Sequence, residues 1–142
     1  MRGIVALILG TGLAANGLIM LVVPSTWYAI VPGVAETGPF NAHFIRDIGV
    51  AYLVCGAALA WFALERIAQP AALAAAAFLA LHALVWDAAA GREHAHQLLL
   101  DVPTIFFPPV LAFWITLAPG RGPKFEDKEK RDDQVVSAAV DR

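Results

Sequence analysis

The sequence predicts an all-α fold, an integral membrane four-helix bundle with a kinked fourth helix and a disordered C-terminal tail, and three observations lead there. Of the 142 residues, 59% are hydrophobic and only 15% charged, with a mean hydropathy of +0.66, too apolar for a soluble domain of this length. Four apolar runs follow one another, each near the roughly 20 residues a helix needs to cross a hydrocarbon core about 30 Å thick. Charge gathers at the ends of these runs and in the last stretch of chain. The expected organisation is one bundle over 1–118, with spans at 4–23, 42–64, 71–90 and 98–118, followed by a charged tail over 119–142.

The first run, Ile4 to Val23, carries no charge, follows Arg2 and stops at Pro24-Ser25, which reads as a span with a terminator. A cleaved signal peptide would have an apolar region of about 7–15 residues, shorter than this one, so an uncleaved helix is expected. From Pro24 to Asn41 the chain mixes Pro24, Pro32, Gly33, Gly38 and Pro39 with Trp27, Tyr28 and Phe40, an ordered loop with interfacial aromatic anchors. The second run opens on His43, Arg46 and Asp47, continues uncharged from Ile48 through Leu64, and ends at Glu65-Arg66. Pro70 separates it from the third run, Ala71 to Ala90, whose alanines Ala74 to Ala77 permit close helix packing. In the fourth run Asp101, Pro103 and Pro108-Pro109 interrupt the pattern, which predicts a kink tolerated because neighbours satisfy the freed carbonyls. Beyond Pro119, six basic and six acidic residues alternate through Arg142, the composition of a solvated, unfolded tail.

Lys and Arg set the orientation. With the N-terminus in the cytoplasm, Arg2, Arg66 and the six basic tail residues lie inside, leaving Arg46 and Arg92 outside, so the positive-inside rule places both termini in the cytoplasm of a bacterial inner membrane. The net charge of −2 gives no reason to expect a nucleic-acid partner. The expected partners are the lipid bilayer and either a small ligand or a membrane-complex subunit.

That topology brings all four histidines, His43, His82, His94 and His96, toward the outer side, with Glu36, Asp47, Asp87, Glu93 and Asp101. An ionisable group within a span is costly unless it pairs, faces the interior or serves a site. Asp47, Asp87 and Asp101 come from three helices at similar depth, with His82 deeper. His43, Arg46 and Asp47 share a helix face at spacings of three and four. The candidate ligand-binding set is therefore Asn41, His43, Arg46, Asp47, His82, Asp87 and Asp101. The candidate metal ligands are His43, Asp47, His82, Asp87, His94, His96 and Asp101, whose imidazole and carboxylate donors suit zinc, manganese or iron better than copper(I).

Three readings of this cluster stay open: a divalent-metal or redox-cofactor site, an organic-ligand pocket, and a set of ion pairs that only holds helix ends together, as in a non-catalytic accessory subunit. Haem is disfavoured, because His43 and His82 differ in height and no Cys-x-x-Cys-His occurs. The single cysteine, Cys55, is read as a small buried side chain. Asn16, amid Gly10, Thr11, Gly12 and Gly17, could enter the pocket, but interhelical hydrogen bonding and close packing are the favoured reading. No nucleophile elbow, phosphate loop or dinucleotide fingerprint is present, so no reaction is implied.

The stretch Arg46-Asp47-Ile48-Gly49-Val50-Ala51-Tyr52-Leu53 with Gly56 resembles the Arg-x-x-Gly-x-x-Tyr/Leu helix of DoxX-like small bacterial four-helix membrane proteins. The resemblance covers the four-span layout and about ten residues. It implies membership of a group in which some proteins are linked to quinone or thiosulfate redox chemistry, and a part for Arg46 in such chemistry.

Overall fold

A computed structural model describes residues 1–90 and 105–117. Among these the chain is all-helical, with α1 (Arg2–Val22), α2 (Pro24–Ile30), α3 (Ala42–Leu64), α4 (Gln69–Ala90) and α5 (Phe107–Thr116), plus short 3-10 turns at Val34–Glu36 and Arg66–Ala68. Among the described residues three helices are long and apolar enough to cross a membrane, Arg2–Val22, Ala42–Leu64 and Arg66–Trp86. The expected tail over 119–142 lies outside the described residues, as do 98–104 of the fourth run.

Local chemistry places the boundaries. Asn41 caps α3, its Oδ1 accepting from the backbone N–H groups of His43 and Phe44 at 3.1 Å, donors that a helix start leaves unpaired. Pro70 falls in the first turn of α4, and Pro108 and Pro109 open α5, positions where a missing N–H costs no intrahelical bond. The expected loop from Pro24 to Asn41 is partly helical. Pro24 starts α2 directly after α1 breaks at Val23, with φ −130° and ψ 58°, and the Trp27 indole then donates to Asn16 Oδ1 at 2.9 Å. This tertiary bond, together with a proline that pre-sets helical φ, turns the segment back against α1. Gly33, at φ 80°, makes the left-handed turn that follows it.

The helices α1 and α3 run antiparallel and meet backbone to backbone. A Cβ added to Gly10 would lie 2.7 Å from the Gly56 carbonyl oxygen, and one on Gly17 would lie 2.5 Å from the Gly49 carbonyl oxygen. Added to Gly49 or Gly56, a Cβ would meet Met20 Cβ at 2.8 Å or Ala14 N at 2.5 Å. Gly3 and Ala63 continue the seam, at 3.4 Å. Small residues thus recur every seven positions on both helices, the repeat that keeps one face against an antiparallel partner over several turns. Against this pair α4 packs its alanine face, where Ala72 and Ala76 are fully buried, and α5 adds Ala112 and Ile115 around Leu59 and Phe62. The Gln69 amide ties the ends of α4 and α5 together by donating to the Thr116 carbonyl at 2.8 Å.

The outer faces are apolar. Ile8, Val22, Val54, Leu84 and Val110 are all exposed, apolar faces of the kind that mark contact with a lipid or protein partner.

The seam makes a sharp mutational contrast. Gly10→Ala, Gly17→Ala or Gly56→Ala forces a methyl into backbone, and each is expected to lower stability by about 1–3 kcal/mol. Gly12, where an added Cβ meets nothing within 4 Å, is expected to accept alanine without loss. Thermal unfolding of the four purified variants checks the difference.

Candidate functional site

Where the C-terminal end of α1, the α2 connection, the start of α3 and the C-terminal half of α4 converge, they enclose a cavity of about 1380 Å³. Each helix contributes one face. Leu13, Asn16 and Met20 come from α1, Ile45, Ile48 and Tyr52 from α3, and Phe78, Leu81, His82, Val85 and Trp86 from α4, spacings of three and four that fall on one side of a helix. The connection supplies Trp27, Tyr28 and Phe40, held by the Tyr28 hydroxyl donating to the Gly38 carbonyl at 2.7 Å and by a Tyr28–Phe40 edge contact at 5.4 Å.

Rings form one corner of the lining. His82 stacks on Phe78, four residues before it, with centroids 5.7 Å apart and planes 13° from parallel. Tyr52 meets the same two rings edge-on, at 5.6 Å from His82 and 6.3 Å from Phe78. Such edge and stacked contacts fix ring orientation beyond what apolar burial alone does. The deep wall is therefore a preformed aromatic corner carrying one imidazole and one phenol. Asn16, bonded to Trp27, sets a polar edge on the α1 side.

The sequence-derived candidates divide. Asn41, His43 and His82 line the cavity, whereas Arg46 and Asp47 are not among its lining residues. The Arg46 Nε turns to α1 and donates to the Leu21 carbonyl at 3.2 Å. Asp47 lies 3.6 Å from His43 Nε2 with both side chains solvent-facing, at 62% and 89% exposure, so the pair sits at the mouth rather than in the interior. An exposed pair of this kind contributes little. Asp87 falls within α4 with its side chain outside the described residues, and His94, His96 and Asp101 lie outside them altogether. Among the described residues no three His, Cys, Asp or Glu side chains gather as a metal site would require. The polar groups on the described lining are few, Asn16, Asn41, His43, Tyr52 and His82 among them, set between apolar and aromatic side chains.

The charge-centred reading of the sequence missed Trp27, Tyr28, Tyr52, Phe78 and Trp86 as lining residues. A signal for part of this set was present, since Phe78, Leu81, His82, Val85 and Trp86 trace one helical face that mixes an imidazole with large apolar groups.

Comparisons of the chain with family models, curated proteins and solved structures find no match.

Asn41 is both a cap and a lining residue, and the two roles separate by substitution. Asn41→Ser keeps a capping oxygen and is expected to retain stability, while Asn41→Ala is expected to lose about 1 kcal/mol. Chemical denaturation of the two variants measures this. Equal stability of both would remove the cap from the account of α3.

Proposed function

We propose that this protein is a multi-pass membrane protein whose aromatic cavity binds a lipophilic, quinone-like molecule: a flat conjugated head with hydrogen-bond acceptors, attached to an apolar chain. The observation that carries this reading is the cavity itself, about 1380 Å³ walled by aromatic rings from the α2 connection, α3 and α4. Pockets for compact ligands usually span about 300–1,000 Å³, so this one has room for a ring head and the first part of a chain. Flat heads suit ring-lined walls, while His82 and Tyr52 offer N–H and O–H donors to the head's oxygens.

The accessible part of the lining fits the same class of ligand. Phe44, Leu81 and Val85 line the cavity and are 60%, 64% and 67% exposed, apolar side chains against which a ligand's apolar chain can lie.

The membrane reading draws on the three long apolar helices, on their exposed apolar faces, and on a fourth apolar run of which α5 is the described part. We read the whole as a four-span bundle bent near the Asp101–Pro109 stretch, with both ends in the cytoplasm of a bacterial cell, as the bias of Lys and Arg favours. A DoxX-like affiliation fits this layout. Because Arg46 is engaged with the α1 backbone, the ligand assignment rests on the cavity and not on that arginine.

Two tryptophans, Trp27 and Trp86, line the cavity, while Trp61 and Trp114 lie toward the other end of the bundle. In a Trp61→Phe/Trp114→Phe background in nanodiscs, a short-tailed benzoquinone is expected to quench the remaining fluorescence saturably. Phe78→Ala and His82→Leu should each weaken binding about tenfold, the equivalent of about 1.4 kcal/mol. Asp47→Asn should leave it unchanged. Quenching that never saturates, or that ignores Phe78 and His82, would refute the assignment.

A further inference from the structure

We propose that the seam between α1 and α5 is a binding site for one anionic diacyl phospholipid, an acyl chain lying in the seam and the phosphate resting on Arg2. The inference rests on the membrane reading above and is independent of the cavity ligand. The seam holds a second space of about 370 Å³, lined by Val5, Ile8, Gly12 and Leu13 of α1 and by Phe107 and Leu111 of α5. Every one of those residues is apolar or glycine, so an extended peptide would find no partners there for its backbone polar groups, whereas an acyl chain needs none.

Gly12 shapes the floor. The seam glycines Gly10 and Gly17 are pressed against α3, but a Cβ on Gly12 would meet nothing within 4 Å. Its lack of a side chain therefore brings no helix closer; it deepens the groove. Ile8 and Phe107 are exposed along the rim, at 68% and 56%, so the groove is open to the surrounding lipid.

One helical turn beyond the lining residues at one end of the groove stands a cation. Arg2 lies one turn before Val5 on α1, and Trp114 lies one turn after Leu111 on α5. The two meet with the guanidinium 5.1 Å from the ring centroid. A guanidinium held over an aromatic ring keeps its charge and its five N–H donors, which can hold a phosphate by paired hydrogen bonds. A chain-wide apolar slot ending at an aromatic-held arginine is complementary to a negatively charged headgroup with its chain attached, and basic grooves between spans take anionic lipids in this way.

The test uses the full-length protein, extracted from membranes and examined by native mass spectrometry with phosphatidylglycerol, phosphatidylcholine of matching chains, or inorganic phosphate added. One phosphatidylglycerol is expected to be retained about fivefold more than phosphatidylcholine, with inorganic phosphate not competing. Arg2→Ala should abolish the preference, Arg2→Lys should restore part of it, and Gly12→Leu should expel the lipid with its circular dichroism unchanged. Arg66→Ala is the control, because Arg66 stacks on Phe62 at 4.8 Å and lies off the seam. Equal retention of the two lipids, competition by free phosphate, a preference that survives both Arg2→Ala and Gly12→Leu, or a dimer that Gly12→Leu dissociates would each overturn the site. Release of the protein from membranes by alkaline carbonate would instead fail the membrane reading, before any lipid is counted.

Discussion

The backbone contact between α1 and α3 is the constraint on which the remaining architecture depends. Four glycines let the two helices approach until a single added Cβ would collide with the opposing main chain. Once that seam forms, the rotation of each helix about its axis is fixed, and so is the direction of every other side chain it carries. Residues three or four away from a seam glycine share its face, while residues two away lie about 200° around the helix. Arg46, three before Gly49, accordingly reaches the α1 backbone at Leu21, and Asp47, two before Gly49, points out to the surface. The seam also sets two parts of the cavity wall, since Met20 and Tyr52 touch it directly at Gly49 and Gly17.

With that rotation in place, the distribution of chemistry over the bundle follows. One end holds the aromatic cavity, and the other holds the pairs Arg2–Trp114, Arg66–Phe62 and Trp61–Glu65. Between them lies an alanine-lined core in which large apolar side chains are few, Leu59 and Ile115 being the largest fully buried apolar ones. Small side chains there, Ala72, Ala75 and Ala76 among them, keep α4 close to its neighbours.

Much of this was legible in the sequence wherever a boundary depends on local chemistry. The start of α3 at Ala42 follows from Asn41, and its end at Leu64 from Glu65 and Arg66. The first and third long helices were likewise bounded by prolines and charges. The helix α2 was hidden because Pro24 reads equally as a helix stop and a helix start, and the bond that decides between them joins Trp27 to Asn16, eleven residues away. The site was only half legible. His43 and His82 were marked by their residue type and do line the cavity. Arg46 and Asp47 were given weight for their charge, and a spacing of three or four says which residues share a face but not where that face points. The repeat of Gly10 and Gly17 opposite Gly49 and Gly56 holds that missing rotation, and it becomes readable only once the two runs are paired antiparallel.

If the seam shapes the cavity, a change in the seam that never touches the ligand must alter binding. Gly17 provides the most direct measurement, since a Cβ there would lie 3.2 Å from the Tyr52 Cβ and 2.5 Å from the Gly49 carbonyl. The affinity of the short-tailed benzoquinone should be measured in the Gly17→Ala protein, held folded below its melting temperature, alongside Gly12→Ala. The account predicts clearly weaker binding for Gly17→Ala and parental affinity for Gly12→Ala. Parental affinity in a folded Gly17→Ala protein would contradict it, by showing that the α1–α3 contact and the cavity are independent.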